Sequence, residues 1–575
     1  MATLKSIFSG IKTTGLIYLS AVVMLVLYLL HLLQYIFSGR DRLTQQYFPS
    51  ETCFYKSGEF TTRYFTAHVK MQGNQLAGIG AGLCIALIGH CLYRYKQVKG
   101  AVAVSDGKRE PINRMSYLPL VLLGIPAYFW YRGQVQLGPS GDEIFSAVYC
   151  AETSLFRTWA YYMMPNNHIF FNLVNNLLAK VTFCDAVHTG RAISFVAYLS
   201  MLIAAFRWLN KLVKNWVVAA IACLPLMFQF TTFILAQQNR GYELQLLFGW
   251  LSYVSMLSYL FDKRGRELRL FTISSVLGFA CIPTYSYFFG AQLLFCLCVM
   301  VYERKADLAL VLHAALIGCG VFLFYLPSLC FSGLDALINN EYVKAGTGDY
   351  VDFIPGFYTA LKTNGNTLFS NLIERDHWVN MVLFLTPVLL LFAKKRERRL
   401  VGIFYILLWI VWGIFCFKMQ RLPYYRNMVL HYSITVATIV YTFYLLVAKV
   451  FSFVKPQVIK YSLIRLAFVV PVLIVSYQQY QWCYRQDNYA EEQQINAQIN
   501  AEIGSWDKGV VVGCSPYSFC YFYFSRKGGH VTHYCLSGNE AVYINLVQEP
   551  LPANILANYS FLKKLPDGYE LYKRK

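Results

Sequence analysis

Two adjacent carboxylates, Asp142 and Glu143, follow a Gly138-Pro139-Ser140-Gly141 turn inside a polar, aromatic stretch, Gln134–Arg191, of a chain otherwise built from long apolar runs. A carboxylate within hydrogen-bond reach of a hydroxyl can take its proton as that oxygen attacks. The same pair at the start of an amphipathic helix also serves as a cap or a dipole partner, and taken alone it does not choose between the two roles. Its company bears on the choice. Asn166, Asn167 and His168 follow in the same stretch, Arg240 and Tyr242 lie in or beside a second polar loop, and Arg421, Tyr425 and Arg426 lie in or beside a later one. A guanidinium stays charged and binds phosphate oxygens through two hydrogen bonds, so it can stabilise a phosphate as it leaves. Solvated or headgroup-facing charge is the plain alternative for these arginines. Several such groups on one aqueous side above an apolar body suit a lipid-linked anionic substrate.

The elements that must position these groups are membrane spans. Of the 575 residues, 57% are hydrophobic and 17% aromatic, far more than a soluble domain carries. The formal charge of +21 does not point to nucleic acid, because the Lys and Arg residues fall in short clusters between apolar runs, as positive-inside topology requires. The 16 cysteines form no C-x-x-C pair, and those inside apolar runs read as small buried hydrophobes. A disulfide is open only to Cys514, Cys520 and Cys535.

Ile17–Phe37, preceded by Lys5 and Lys12, reads as a retained span with a cytoplasmic N-terminus, and Gln75–Tyr93 as its return. Tyr117–Tyr131 then delivers the Asp142 stretch to the outer side. There Ile144–Trp159 and Asn166–Lys180 read as amphipathic juxtamembrane helices separated by Pro165-Asn166-Asn167. Further spans are expected at Ala192–Phe206, Trp216–Leu235, Leu244–Phe261, a hairpin of short helices in Leu270–Tyr302 turning near Pro283, Leu308–Cys330, Val379–Phe392, Leu400–Phe417, Met428–Val447 and Tyr461–Tyr477. The total is about 13 spans with an outer C-terminus. This alternation puts the basic clusters around Arg94–Arg114, Arg207–Lys214, Lys263–Arg269 and Lys394–Arg399 on one side, and loops 132–191, 236–243, 331–378 and 418–427 on the other. Residues 480–575 are ordinary in polarity, and β-prone runs at Gly509–Val512 and Phe519–Phe524 predict a small extracytoplasmic α/β domain.

The apolar spans contain essentially no Asp or Glu, whereas ion-coupled transporters place ionisable groups near the midplane. His31, His90, His313 and His431 fall in or near spans, where hydrogen-bonded packing is the expected role.

Four features, in order, resemble the GT-C superfamily of integral-membrane glycosyltransferases, in the branch of protein O-mannosyltransferases and aminoarabinose transferases. They are the Asp142-Glu143 pair after a span, PNNHIFFNLVNNLLAK (Pro165–Lys180) followed by Gly190-Arg191, AQQNRGYELQLLF beginning at Ala236, and RLPYYRN from Arg421. The resemblance covers Tyr117–Lys449. It implies a core at 117–479 behind a two-span extension at 1–116, a polyprenyl-phosphate-sugar donor, and an inverting displacement onto a lipid, glycan or protein acceptor at the outer face of a bacterial inner (plasma) membrane. Carried over residue by residue, Asp142 is the general base and Glu143 orients the acceptor or tunes that base. Asn167 and His168 line the donor pocket, Arg240 contacts donor phosphate or sugar, and Arg421 with Arg426 holds the leaving phosphate, Tyr242 and Tyr425 lying beside them as substrate-binding residues. Many relatives carry an acid where this chain has Gln237, Gln238 and Asn239, so no metal site is assigned, a divalent cation stays open, and no other cofactor is expected. The rival readings are a transporter or flippase of lipid-linked sugars, and a non-enzymatic membrane assembly protein.

Overall fold

The computed structural model describes residues 13–48, 64–100, 124–125, 128, 140–162, 167–338, 353–355, 382–420, 423–485, 512–514, 531–533, 541–548, 551, 553–564 and 568–575. Asn166, Arg421, the side chain of Tyr425, nearly all of Tyr117–Tyr131, the run Phe519–Phe524, and Cys520 and Cys535 lie outside them.

Among the described residues nine helices are long and apolar enough to cross a bilayer. We number them α1 (Thr13–Phe37), α2 (Ala67–Gly100), α3 (Ala186–Val213), α4 (Tyr242–Asp262), α5 (Tyr285–Tyr302), α6 (Leu308–Ile338), α7 (Arg396–Met419), α8 (Val429–Val450) and α9 (Gln457–Arg485). A backbone in hydrocarbon must satisfy its own polar groups, which a helix does within one segment, so long apolar windows fold this way. The protein is a polytopic α-helical membrane protein. The expected hairpin is the helix Gly265–Cys281 followed by α5, turning at Ile282-Pro283-Thr284.

Three predicted elements differ in detail. Trp216–Leu235 is three short helices, Trp216–Ala222, Leu224–Met227 and Phe230–Leu235, in place of one. Pro225 has no N–H to give and its ring crowds the carbonyl one turn back, so the helix restarts there. Extended Gln229 makes the second break. The exit span runs past Cys330 to Ile338, bent at Gly333, whose φ of 80° is the left-handed region that glycine enters without a Cβ clash. In Ile144–Trp159, a helix ending at Phe145 passes into a π-helical turn, Ser146–Ala151, before a new helix at Leu155–Ala160.

The chain divides into two compact units. In the first (Met1–Ser116, Trp159–Pro165, Cys319–Asn340), α1 packs along α2, and side chains bond to the backbone of α6. Tyr28 donates to Leu323 O at 2.7 Å and Tyr35 to Cys330 O at 2.7 Å. In the second (Tyr117–Thr158, Asn166–Gly318, Glu341–Lys575), α4 packs between α3 and the helix Gly265–Cys281. Trp208, Trp250 and Tyr253 interlock there, and Trp250 Nε1 donates to Ser433 Oγ at 2.9 Å, tying α4 to α8. The C-terminal segment forms a five-stranded sheet in the order β2-β1-β3-β5-β4, from β1 (Val512–Cys514), β2 (Val531–His533), β3 (Val542–Leu546), β4 (Tyr559–Lys564) and β5 (Tyr569–Arg574). Strand β1 runs parallel to β2 and β3, and β5 antiparallel to β3 and β4.

Candidate active site

Local chain chemistry places the acidic pair. Ser140, extended, caps the short helix Gly141–Phe145, and its backbone N–H donates to Glu143 Oε2 at 2.8 Å, the return half of a capping box. The π turn then buries Ala147 and Ala151 against Ala186 and Val187 at the start of α3. Asp185 begins α3 by accepting from the N–H groups of Val187 and His188, each at 3.0 Å. That start point puts Gly190 and Arg191 one turn into α3, facing the acidic pair.

Glu143 is closed off. Its side chain is 2% exposed, and its oxygens accept from Arg191 Nε at 2.7 Å, Arg191 Nη2 at 3.0 Å, Asn239 N at 2.7 Å and Ser140 N at 2.8 Å. An ionised carboxylate has about four lone-pair sites, so these bonds use its capacity. Asn239 Nδ2 donates to Glu143 O at 3.1 Å, while its Oδ1 accepts from Asn175 Nδ2 at 3.1 Å. Gly190 makes room for this: a Cβ there would lie 1.6 Å from Asn239 Oδ1.

Asp142 is the opposite case. Its side chain is 38% exposed, and Oδ2 accepts from Arg426 Nη1 at 2.6 Å with Arg240 Nη2 at 3.8 Å. Arg240 is buried and fixed, its Nη1 donating to Asp142 O at 3.2 Å and Ser146 Oγ at 3.0 Å. Its guanidinium lies 5.7 Å from the Tyr242 ring, and that of Arg426 lies 5.4 Å from Tyr424. Arg426 sits in a 3₁₀ turn, Tyr425–Met428, leading into α8, whose N-terminal dipole adds positive potential. Two guanidiniums thus meet one carboxylate.

His168 is buried at the N-cap of the helix Ile169–Thr182, and its Nδ1 accepts from Gly241 N at 2.8 Å. That bond assigns the ring proton to Nε2. Burial first, then the Arg240 and Arg426 charges, pushes its pKa well below the ordinary histidine value, so the ring is neutral. It meets Tyr242 edge-on at 4.8 Å. Asn167 donates to Thr158 O at 2.9 Å and accepts from Asn172 Nδ2 at 2.9 Å, fixing the turn that precedes the helix.

The structure brings Asp142, Glu143, His168, Arg240, Tyr242 and Arg426 together, with Asn167 beneath them. Sequence reasoning gave Arg191, Asn239, Asn175 and Ser146 no role in the site. Gly190-Arg191 carried a signal only as a motif, and Asn239 was noted only for not being an acid. Among the described residues no group of three or more His, Cys, Asp or Glu is placed to hold a metal ion.

This helical body, with the candidate site beside the ends of α3, α4 and α8, shares its fold with solved structures of a polytopic membrane protein. Two of the structures it is similar to are those of ArnT from Cupriavidus metallidurans. With the apo form the TM-score is 0.52 at 11% identity, covering 79% of this chain and 97% of that one. With the form bound to undecaprenyl phosphate the TM-score is 0.50 at 10% identity, with the same coverage of 79% and 97%. No family model matches the sequence, and no curated protein matches it.

Proposed function

We propose that the protein is a glycosyltransferase that moves a sugar from a polyprenyl-phosphate donor to a hydroxyl of a lipid, glycan or protein acceptor at the outer face of a bacterial inner membrane. The observation that carries this reading is the half-exposed Asp142 carboxylate set between Arg240 and Arg426. The fold, shared with an ArnT that binds undecaprenyl phosphate, supports the lipid donor.

The donor phosphate competes with Asp142 for Arg426, since guanidinium binds either oxyanion. Once Arg426 turns to the phosphate, Asp142 Oδ2 takes the proton of the acceptor hydroxyl. The acceptor oxygen forms its bond to the anomeric carbon on the face opposite the phosphate. The bond from that carbon to the phosphate oxygen breaks, its electron pair leaves on the phosphate, and Arg240 and Arg426 stabilise the charge. One displacement inverts the anomeric centre. Glu143, through Arg191 and the Asn239 amide, is a positioning residue that holds the Asp142 backbone and the Arg240 loop in register. His168 does the same for Gly241. Arg421 and Tyr425 complete the phosphate grip in this reading.

Asp142→Asn keeps the size and removes the base. Membranes carrying this variant and supplied with a polyprenyl-phosphate sugar should show no transfer above a small residue; transfer at the wild-type rate would sink the mechanism. Sidedness is tested by placing cysteines at Asp142 and Arg264 in intact cells: an impermeant thiol reagent should label the first and not the second.

A further inference from the structure

Histidines inside spans are expected to be hydrogen-bonded, and His313 is: its Nδ1 lies 2.6 Å from Thr272 Oγ1. His431, in the first turn of α8, is not. Its side chain is buried, and among the described residues neither ring nitrogen has a hydrogen-bond partner. A buried imidazole with both nitrogens unpaired is destabilising, so its retention calls for a ligand that supplies the missing partners.

The surroundings say what kind. The ring meets Phe288 of α5 at 6.2 Å and Trp409 of α7 at 5.9 Å, both edge-on. Trp409 meets Trp412 at 5.5 Å, and Trp412 Nε1 is likewise buried without a partner. Thr284, at the N-cap of α5, also has a buried Oγ1 with no partner among the described residues. Helices α7 and α8 thus bring unpaired indole and imidazole groups to one junction walled by aromatic rings of α5 and α7. Aromatic walls with a few convergent, uncharged donors and acceptors take a polyol: the rings cover its C–H faces, and the polar atoms bond its hydroxyls. The junction lies close to the phosphate grip. His431 is five residues beyond Arg426, about 8 Å along the axis at 1.5–2 Å per residue, the reach of one sugar ring hung from a phosphate.

We propose that the junction of α5, α7 and α8 around His431 holds the sugar of the polyprenyl-linked donor, with His431 and Trp412 bonding its hydroxyls; this rests on the glycosyltransferase reading above. The test uses the full-length protein in nanodiscs with undecaprenyl phosphate and its glucosyl, mannosyl and galactosyl phosphodiesters as probes. Wild-type protein should bind undecaprenyl phosphate, and at least one glycosylated form more tightly. His431→Phe should bind undecaprenyl phosphate as wild type does, lose at least tenfold for the glycosylated lipid, and without ligand melt no lower than wild type. His431→Gln, which restores a donor and an acceptor, should recover part of the loss, and Trp412→Phe should lose several-fold. If wild type binds undecaprenyl phosphate and His431→Phe keeps full affinity for the glycosylated lipid, or if no glycosylated form binds more tightly than the bare phosphate, the sugar pocket is wrong while the donor class stands. If wild type binds none of these lipids, the glycosyltransferase reading falls and the pocket falls with it.

Discussion

Asp142 and Glu143 are neighbours in the chain and opposites in the fold. On the Glu143 side every lone pair is committed, to Arg191 from 48 residues away and to Asn239 from 96 residues away, and the carboxylate is sealed from solvent. On the Asp142 side the carboxylate is half exposed and shares two cations that an anionic ligand can claim. A capping box accounts for the first acid and leaves the second unexplained. The contrast separates a buried structural clamp, Glu143, from a half-exposed carboxylate, Asp142, which under the proposed function is the reactive group held on the backbone the clamp fixes.

The sharpest way to break that contrast is to remove each acid by one atom type. Asp142→Asn should lower transfer by about 10²–10⁴-fold, the range for a positioned acid or base, with the melting temperature unchanged. Glu143→Gln should act first on stability, with any loss of transfer following the loosened backbone. It leaves Arg191 buried beside a neutral amide, and breaking a buried pair in this way costs about 3–5 kcal/mol, so the purified variant should melt well below wild type. If both variants lose activity at full stability, the clamp is no clamp.

A smaller perturbation sharpens the clamp side without touching charge. Gly190→Ala drives a methyl against Asn239 Oδ1 and Asn175 Nδ2. Overpacking of this kind costs about 1–3 kcal/mol, and the displaced Asn239 loosens the Glu143 contacts. The melting temperature should fall by less than for Glu143→Gln, and combining the two should give less than the sum, because they disrupt one network.

How far the sequence anticipated this follows from the range of each interaction. Spans such as Leu244–Phe261 were legible because apolar length is a property of one segment, and Arg240 and Arg421 were expected on the outer side, where the positive-inside bias does not explain them. The break at Pro225 was written in the chain, yet twenty apolar residues outweighed one proline. The Glu143–Arg191–Asn239 clamp was not legible, since it joins three segments by bonds no local pattern encodes, and Gly190 matters only through the side chain opposite it. His431 was misjudged for the same reason: whether a histidine has a partner is a fact about neighbouring helices.

The far end of α4 supplies a further comparison, because it too joins a carboxylate to a cation. There Asp307 accepts from Lys263 Nζ at 3.0 Å, from Tyr259 Oη at 2.9 Å and from the Leu310 amide at 3.2 Å. Burial alone would raise its pKa; the bonds from Lys263, Tyr259 and Leu310, with the Lys263 charge, outweigh burial and leave it below the ordinary aspartate value. A depressed carboxylate pKa contributes stability that is complete above about pH 4, the unfolded value, and is lost as pH falls through the folded one. Lys263 is nearly half exposed, so solvent screening holds the contribution to about 1 kcal/mol or less. Asp307→Asn should therefore lower the melting temperature slightly at pH 7 and narrow the gap to wild type as pH drops below about 4, with transfer at neutral pH untouched. A loss of transfer in this variant would mean that the two ends of α4 are coupled, and that a carboxylate–cation pair some 30 Å along the helix from Arg240 is part of the catalytic machinery and not a brace between neighbouring helices.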